Sequence, residues 1–458
     1  MNFREVLVAM APEHVLLLGI VVLLLVDILS PRATRGFGLA LLVVCAAAAI
    51  AAGLALSGTT FEPFTGQVRV TPSDFVAKAV VLALAAPIVL LCADDLAQTR
   101  FFVLAISSLY GACLMLSADS FLTLFVGFEL MSLPLYVMVM IEGQDTKSAE
   151  AALKYLVLGG VASGSLLLGA SLLYGGTGSL SYASFTAALG SHDTMALAGV
   201  ALVTVAFMLK AAVVPFHAWA PDAYEGAGVP VTAYMATVVK AAVLLAAVRL
   251  FAERPLEGAV LAVVAILPLA SIVWGNLAAM RQKSFRRMIA YSSIAHAGYL
   301  FYVLLGDPPG RYQAVLFYAL AYGVMNVLAF AALPRMAGGD RIEALSGLFS
   351  RSPFSAFMIA IAMLSLAGIP PLPGFVAKFL IFKNAIAAGY TTYAVLGLVG
   401  SYLGIYFYLR VIQLMFMKEA EPSAAAGTER ALATPACALC LGASLVIAVF
   451  PGWVLGLL

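Results

Sequence analysis

The chain has 458 residues, of which 63% are hydrophobic and only 10% charged, and its formal net charge is +2. About 25% of the residues in an average soluble domain are charged, so this composition excludes an ordinary soluble protein and predicts an all-α integral membrane protein in contact with the lipid bilayer. The nearly balanced charge gives no support for a nucleic-acid partner.

Apolar runs of the length needed to cross a bilayer recur along the whole sequence. The first run ends at Ser30-Pro31-Arg32 without the small-residue cleavage pattern of a signal peptide, so it is counted as a span. The connections between the runs are too short to hold a soluble domain. The runs predict about fourteen transmembrane helices, near residues 14–30, 36–56, 74–92, 101–117, 120–141, 150–174, 194–214, 230–251, 256–277, 287–305, 311–333, 353–388 (broken), 391–417 and 431–451.

Lysine and arginine residues are distributed unevenly among the predicted connections. Loops after odd-numbered spans hold thirteen of them, whereas the N-terminal tail and the loops after even-numbered spans hold four. Because loops rich in Lys and Arg remain in the cytoplasm, the odd-numbered loops are expected there. Both termini are therefore expected on the opposite side of the membrane.

Charged side chains inside the predicted spans are the main functional signal. A charge at the middle of a bilayer costs about 2.5–3.5 kcal/mol on insertion scales, so packing alone would not retain several of them. One glutamate neutralises only one lysine, and a buried lysine without a partner exchanges its proton more readily than one in water. A proton or ion path is therefore predicted, with inert ion pairs or lysines that extend to the membrane surface as the alternative. The residues concerned are Glu129, Lys154, Lys210, Lys240 and Lys378.

Two predicted helices are interrupted by proline beside a lysine. In FMLKAAVVPFHAWAP, Pro215 lacks a backbone N–H and its ring crowds the preceding turn, so the helix is expected to open just after Lys210. In SLAGIPPLPGFVAKF, three prolines and two glycines break a second helix just before Lys378. Interrupted helices whose backbone groups surround a cavity are typical of transporters, and a pair of ordinary proline kinks is the alternative.

His296, in YSSIAHAGYLF, is the one histidine well inside a predicted span. Imidazole titrates near neutral pH and would suit a bridge between Lys240 and Lys378, although a lone buried histidine is also common as a hydrogen-bonded core residue. Cys437 and Cys440 lack a second pair of ligands and are expected to be small lipid-facing residues. The sequence has no phosphate-binding, dinucleotide, haem or iron–sulfur motif, so no metal and no cofactor is expected in this chain.

Five stretches are long and specific enough to indicate a family: FVGFELMSLPLYVMV (125–139), EAALKYLVLGGVASGSLLLGASLLYGGTGS (150–179), PFHAWAPDAYEGAGVPVTAYMATVVK (215–240), FRRMIAYSSIAHAGY (285–299) and AGIPPLPGFVAKF (367–379). From about Asp74 to Gln413 the chain resembles the antiporter-like membrane subunits of respiratory complex I, the proton-pumping NADH:quinone oxidoreductase. Within that group, the segment PDAYEG is most similar to the N-type subunits. Gly228 stands where the family usually has proline, which makes the loop less rigid but removes no ionisable group.

The resemblance implies a particular architecture. The chain would have fourteen spans that include two inverted five-helix repeats, and the broken helices would be spans 7 and 12. One transmembrane domain would consist of an N-terminal three-helix segment (1–93), a first repeat (94–252), a second repeat (253–417) and a C-terminal helix (418–458).

The resemblance also implies one proton path with a role for each charged residue. The glutamate of span 5 would pair with the lysine of span 7, here Glu129 and Lys210, and Lys154 would lie beside the pair. The path would then continue through Lys240, His296 and Lys378.

The same resemblance implies partners, a location and the absence of redox groups. FMN, iron–sulfur clusters and quinone reduction belong to other subunits of such complexes, so this chain would be a non-redox part of a proton translocase. It would lie in a bacterial inner membrane, with both termini periplasmic, beside a neighbouring antiporter-like subunit and small membrane subunits. Three alternatives stay open: a subunit of a multi-subunit sodium/proton antiporter, a stand-alone transporter of an organic solute with a substrate pocket at the broken helices, and a purely structural membrane anchor.

Overall fold

The computed structural model describes residues 3–29, 35–95, 99–143, 146–191, 193–251, 254–335, 340–419 and 432–458. These residues are almost entirely helical, as the apolar runs predict. The helices up to residue 250 are α1 (Phe3–Ala9), α2 (Ala11–Leu29), α3 (Arg35–Leu56), α4 (Pro72–Asp95), α5 (Thr99–Leu116), α6 (Phe121–Gly143), α7 (Thr146–Thr177), α8 (Tyr182–Leu189), α9 (Thr194–Ala211), α10 (Trp219–Gly226), α11 (Val229–Tyr234) and α12 (Lys240–Leu250). The later helices are α13 (Gly258–Ala279), α14 (Phe285–Phe301), α15 (Pro308–Ala331), α16 (Leu348–Arg351), α17 (Pro353–Ala367), α18 (Pro373–Ala387), α19 (Thr391–Met417), α20 (Ala433–Val449) and α21 (Pro451–Leu457).

The number of membrane-crossing segments is close to the predicted number. Within the described ranges, twelve helical segments are long and apolar enough to cross a membrane, and the bent pair of α20 and α21 would make thirteen. The count falls below fourteen because α17 has only 15 residues, and α18, which follows after the break, has the same length. The chain is therefore a multi-span helical membrane protein.

Both predicted helix breaks are confirmed. α9 ends at Ala211, and the next residue, Ala212, has the left-handed backbone conformation with a φ of 62°. α17 ends at Ala367, and Gly368 follows in the same region with a φ of 86°. A left-handed residue turns the chain out of the helix, and its N–H and the next N–H bond back to carbonyls of the last turn. The carbonyls that follow have no partner within the helix. Those carbonyls are then available to side chains inside the bundle.

A short antiparallel hairpin joins α3 to α4 and was not predicted from the apolar pattern. β1 (Phe61–Phe64) pairs with β2 (Val68–Val70), with Phe61 opposite Val70. The side chain of Glu5 on α1 accepts a hydrogen bond from the backbone N–H of Glu62 at 2.8 Å. The N-terminal helix is thereby fixed at the hairpin end of the bundle.

The C-terminal helix lies at the same end as the hairpin. Gln313, near the start of α15, donates a hydrogen bond to the carbonyl of Leu455 on α21 at 2.6 Å. Tyr312, the preceding residue, donates to Asp74 directly after the hairpin, at 3.3 Å. Both ends of the chain therefore lie on one side of the bundle.

The centre of the bundle consists of three spans. In the most apolar stretch of Val229–Leu250 every residue is buried, and the buried fraction is 94% in the corresponding stretches of Phe285–Leu305 and Gly310–Ala331. By contrast, only 28% of the residues are buried in Ala11–Leu29 and Gly36–Leu56. The central segments carry Lys240, His296 and several tyrosines, so the buried core and the candidate polar path coincide.

Cys437 and Cys440 were expected to face lipid, and this expectation was wrong. Both side chains are buried, because α20 packs against α15 and α4. The two residues lie three positions apart and therefore share the inward face of their helix.

Candidate functional site

The ammonium group of Lys210 is buried among polar and aromatic side chains near the end of α9. Its Nζ donates to Ser132 Oγ and, at 3.5 Å, to Tyr136 Oη. The same atom lies 4.7 Å from the centre of the Phe128 ring, where the negative face of the ring stabilises a cation. A Cβ atom on Gly159 would overlap Tyr136 Oη, so glycine is needed there for the phenol to reach Lys210.

The expected ion pair between Glu129 and Lys210 is corrected by the structure, in which their charged atoms do not touch. Glu129 is partly buried and accepts a hydrogen bond from Ser163 Oγ. Glu129 and Ser132 lie three residues apart on α6, so the carboxylate and the hydroxyl that holds Lys210 share one face. The carboxylate remains within electrostatic range of Lys210. The two charges therefore interact across the surface of α6.

Lys154 was expected beside that pair in the membrane interior, and this expectation was wrong. Its side chain is 44% exposed, and its Nζ lies 2.7 Å from a carboxylate oxygen of Glu150 and 2.7 Å from one of Asp222. The reason is geometric, since Lys154 comes only about two turns after α7 begins. The short helix α10 folds back and brings Asp222 to that level.

The surroundings of Lys154 form an ion-pair cluster, defined here as Lys147, Glu150, Lys154, Asp222, Glu225 and Arg287. Arg287 Nη1 on α14 lies 2.6 Å from Asp222 and 3.0 Å from Glu225, and Lys147 lies 2.9 Å from Glu225. Exposed ion pairs contribute little to stability, so the main consequence is positional. The cluster holds α7, α10 and α14 together and fixes Tyr224, which lies between the two acids on α10.

Lys240 is the first residue of α12 and directly follows a π-helical segment, Met235–Val239. Such segments frequently occur at functional sites. The buried Nζ of Lys240 donates to the carbonyl of Ser293 at 2.6 Å and to the hydroxyl of the same residue. Tyr224 Oη lies 3.2 Å from that hydroxyl. Tyr224, which is on the same short helix as Asp222 and Glu225, therefore reaches Lys240 through the hydroxyl of Ser293.

His296 is 2% exposed, and both of its ring nitrogens face hydroxyl groups. Nδ1 lies 2.7 Å from Tyr318 Oη, and Nε2 lies 3.3 Å from Tyr408 Oη. Tyr408 Oη is in turn 2.5 Å from Ser292 Oγ. An imidazole with partners on both nitrogens can receive a proton at one nitrogen and release it from the other.

Lys378 holds the carbonyl groups that the second helix break sets free. Its Nζ donates to the carbonyls of Leu366 and Ala367, both at 3.0 Å, and to Ser401 Oγ at 3.1 Å. The nitrogen lies 5.0 Å from the centre of the Tyr299 ring. The three hydrogen bonds use all three ammonium protons, and each acceptor is an uncharged oxygen.

One face of α14 connects these sites. Ser293, His296 and Tyr299 recur every three residues and therefore share a face. Ser293 contacts Lys240 at one end, and Tyr299 faces Lys378 at the other. The structure thus brings Lys240, His296 and Lys378 together along one helix, whereas Lys210 has a separate polar pocket and Lys154 belongs to the ion-pair cluster.

Known proteins with similar sequences give this arrangement a family. A family model described as "NADH:quinone oxidoreductase/Mrp antiporter, TM" matches residues 118–404. NADH-quinone oxidoreductase subunit N of Pelobacter propionicus is 38% identical over 418 residues, which are 91% of this chain and 90% of that protein. The chain belongs to the subunit N family. The corresponding protein of Granulibacter bethesdensis is 36% identical over 459 residues, 96% of this chain and 95% of that protein.

Solved structures agree with membership of the subunit N family. A chain of respiratory complex I from Thermus thermophilus is 34% identical, with a TM-score of 0.85 over 97% of this chain and 98% of that chain. A chain of the Mrp complex from Dietzia sp. has a TM-score of 0.88 over 100% of this chain and 96% of that chain. Because its identity is only 23%, that second likeness shows the fold alone.

The hydroxyl groups that connect the charged residues of this subunit N family member were not foreseen from the sequence. Serine and tyrosine are frequent in apolar helices, so composition did not distinguish them. The available signal was the three-residue spacing of polar residues in YSSIAHAGYLF. The unforeseen residues are Ser132, Tyr136, Ser163, Tyr224, Ser292, Ser293, Tyr299, Tyr318, Ser401 and Tyr408.

Proposed function

We propose that the chain carries protons across the membrane as a subunit of a proton-translocating NADH:quinone oxidoreductase. The observation that supports this most strongly is the α14 face, where His296, with a hydroxyl on each ring nitrogen, lies between Lys240 and Lys378. Neither lysine has a carboxylate within 4 Å among the described residues. A charge held only by dipoles can be given up without breaking an ion pair. The proposed path residues are Glu129, Lys154, Lys210, Lys240, His296 and Lys378.

The first half of the path runs from the ion-pair cluster to Lys240. Lys154 and Asp222 lie at the surface, where protons exchange with water, and Tyr224 and Ser293 lead inward. A hydroxyl group both donates and accepts, so each can pass one proton on while it receives another. Lys240 Nζ is the first buried group on this route that can store a proton.

Charge repulsion gives the second half its direction. At an effective dielectric constant of about 20, two unit charges about 7 Å apart repel by roughly 2.4 kcal/mol, enough to change the protonation of a neighbouring site. A proton that arrives on one lysine therefore lowers the affinity of the next lysine for its own proton. His296 relays it, because its two nitrogens face Tyr318 and Tyr408 on different helices.

Glu129 and Lys210 control entry into this path without lying on the α14 face. Movement of the carboxylate toward or away from Lys210 changes how firmly that lysine keeps its proton. The absence of direct contact supports a control role, since a pair that is already locked together would have to be broken at each cycle.

The finer architecture follows from the same assignment. The broken pair α17 and α18 acts as one further span, which brings the number to fourteen. The first repeat (94–252) then contains α5, α6, α7, α9 with α10, and α11 with α12, and the second (253–417) contains α13, α14, α15, α17 with α18, and α19. In each repeat the fourth span is broken beside a lysine, which supports an inverted pair. The segments 1–93 and 418–458 flank the repeats.

The proposed partners and location rest on relatives that are subunits of membrane complexes. We assign the chain to the inner membrane of a bacterium, with both termini periplasmic, next to another antiporter-like subunit and small membrane subunits. NADH oxidation and quinone reduction, with FMN and iron–sulfur clusters, belong to other subunits, so this chain is a non-redox part of the translocase. The sodium/proton antiporter function is less favoured, because the relatives that are 36–38% identical over most of the chain are named subunit N.

The decisive experiment uses the whole complex in sealed inside-out membrane vesicles. Lys240→Ala and His296→Ala are each expected to lower the number of protons pumped per NADH oxidised, while the complex still assembles and oxidises NADH. Lys383→Ala is the matched control, since Lys383 is on the same helix as Lys378 but exposed. An unchanged proton-to-NADH ratio in both test variants would refute the path.

A further inference from the structure

A polar cavity of about 480 Å3 opens at the hairpin end of the bundle, opposite the ion-pair cluster. It lies where α4 and α15 begin and α12 ends, and no residue of the proposed path lines it. We call it the hairpin cavity. Its charged and phenolic lining residues are Arg69, Asp74, Asp119, Tyr182, Arg249 and Tyr312.

Most polar groups of the hairpin cavity already have partners. Arg249 Nη1 lies 2.7 Å from Asp74 and donates to the carbonyl of Leu116 at 2.6 Å, and Nη2 donates to the carbonyl of Arg69 at 2.7 Å. Tyr312 Oη donates to Asp74 at 3.3 Å. These contacts hold the hairpin against the ends of the central helices.

Two groups in the hairpin cavity remain without protein partners in the described ranges. Tyr182 is only 8% exposed, and its buried hydroxyl has no hydrogen-bond partner there. The backbone of Asp119 is fixed by two hydrogen bonds of 3.0 Å: its N–H donates to the carbonyl of Gln67, and its carbonyl accepts from the N–H of Tyr182. Its carboxylate makes no hydrogen bond or ion pair within the described residues. The Tyr182 hydroxyl is therefore one of the rare buried polar groups that lack a partner, whereas Asp119 is only partly buried, so its carboxylate is open to water in the cavity.

Asp119 lies between α5 and α6 and is poised to bind a proton. Burial raises the pKa of its carboxyl, and the positive charges of Arg249 and Arg69 only partly oppose this. Glu62 on the hairpin and Asp74 on α4 raise the pKa further. A carboxyl with a raised pKa exchanges its proton closer to neutral pH than one in water.

Two helices of the proposed path lead into the hairpin cavity. α12 starts at Lys240 and reaches Arg249 in its last turn. α15 carries Tyr318, the partner of His296, and six residues earlier Tyr312, which lines the cavity. Six helical residues span about 9 Å, the length of about three hydrogen-bonded waters. The cavity therefore begins about 9 Å along α15 from the hydroxyl partner of His296.

We propose that the hairpin cavity is a water-filled vestibule through which the chain releases protons, and that Asp119 is its proton-binding group. This rests on the proposed function. Asp119 accepts a proton from water on the path side and returns it to water on the open side, with no other bond formed or broken.

The vestibule is tested first by chemical access, which does not depend on pumping. Thr186 lines the cavity, and Lys283 is exposed between α13 and α14 at the end that carries the ion-pair cluster. Thr186→Cys in the assembled complex is expected to react with a membrane-impermeant maleimide from the side opposite to Lys283→Cys. The unsubstituted complex corrects for natural cysteines. Lack of reaction at Thr186→Cys from either side, or reaction from the same side as Lys283→Cys, would overturn the vestibule.

The proton-binding role is tested by Asp119→Asn in the same complex. Release of pumped protons is expected to slow by about a hundredfold, the lower end of the 10²–10⁴ that a positioned acid–base group commonly contributes. Asp119→Glu should restore release. Asp193→Asn is the control, because Asp193 caps α9 at the same end and asparagine caps equally well.

The outcomes separate this proposal from the proposed function. If Lys240→Ala lowers pumping but Asp119→Asn releases protons at the natural rate, only the release site is wrong. If neither variant lowers pumping, the path itself is wrong. If Asp119→Asn fails to assemble, the maleimide result on Thr186→Cys decides the vestibule by itself.

Discussion

Glu13 and Lys78 form a buried ion pair that lies outside the proposed path. Lys78 Nζ is 2.6 Å from Glu13 Oε1, and the two side chains are 0% and 1% exposed. Neither group has a further hydrogen-bond partner among the described residues. An isolated pair of this kind recovers little of its desolvation cost, but removing one partner leaves an uncompensated charge.

We therefore expect Glu13→Gln to destabilise the folded chain by about 3–5 kcal/mol, because it leaves the Lys78 ammonium unpaired between α2 and α4. The double variant Glu13→Leu with Lys78→Met should recover most of that loss. The stability of both variants is measured by heating the purified complex and monitoring the release of this chain. A single variant as stable as the natural protein would contradict the assignment of a charged pair.

Ala212 offers a second residue-level test, since its φ of 62° is a conformation that non-glycine residues rarely adopt. A left-handed residue with a Cβ costs roughly 1–2 kcal/mol, of which glycine would relieve part. Ala212→Gly is expected to be neutral or stabilising by up to about 1 kcal/mol, and Ala212→Val clearly destabilising. Thermal unfolding of the purified complex measures both variants. Equal stability of the two would show that the left-handed backbone at residue 212 does not lower the stability of the fold.

At the scale of elements, the sequence was informative wherever local chemistry decides the structure. Pro215 predicted the break after Lys210 because proline removes a hydrogen bond wherever it stands. The partners of charged residues depend instead on which helices meet, and no local pattern encodes that. For this reason Lys154 was expected inside the membrane, although α10 folds back to pair with it.

The break between α17 and α18 allows a test of how an element positions a charged group. Gly368 has a φ of 86°, and a Cβ atom there would lie 3.1 Å from Cδ and 3.3 Å from Nζ of Lys378. Gly368→Ala is therefore expected to displace Lys378 from its carbonyl acceptors and to lower the number of protons pumped per NADH. The measurement is the same ratio in sealed vesicles.

Gly389 supplies the matched control for that experiment. It has a φ of 90° near the end of α18, but a Cβ there would meet open space. Gly389→Ala carries the same backbone strain without touching a charged group, so it should keep the natural ratio. An equal loss of pumping in the two variants would attribute the effect to strain rather than to Lys378.

At the scale of the whole molecule, the two ends of the bundle differ in charge chemistry. One end carries the ion-pair cluster, and Arg410 lies nearby, 3.2 Å from Glu343. The other end carries the hairpin cavity and both ends of the chain, since Glu5 binds the hairpin and Leu455 binds α15. The sequence predicted that the termini share a side from the uneven distribution of basic residues among the loops, and the even number of predicted spans agrees with it. It did not predict the cavity, whose walls come from helices far apart in the chain.

The difference between the ends makes the orientation in the membrane testable. Basic residues are retained on the cytoplasmic side, so the end with the ion-pair cluster should face the cytoplasm and the C-terminus should be periplasmic. Alkaline phosphatase fused after Leu458 is then expected to be active, and green fluorescent protein at the same position dark. Fusions after Lys418, where α19 has returned to the cluster end, should give the opposite result. Fluorescence after Leu458 would reverse the orientation and make the hairpin cavity an inlet, because protons would then enter at the end from which we expect them to leave.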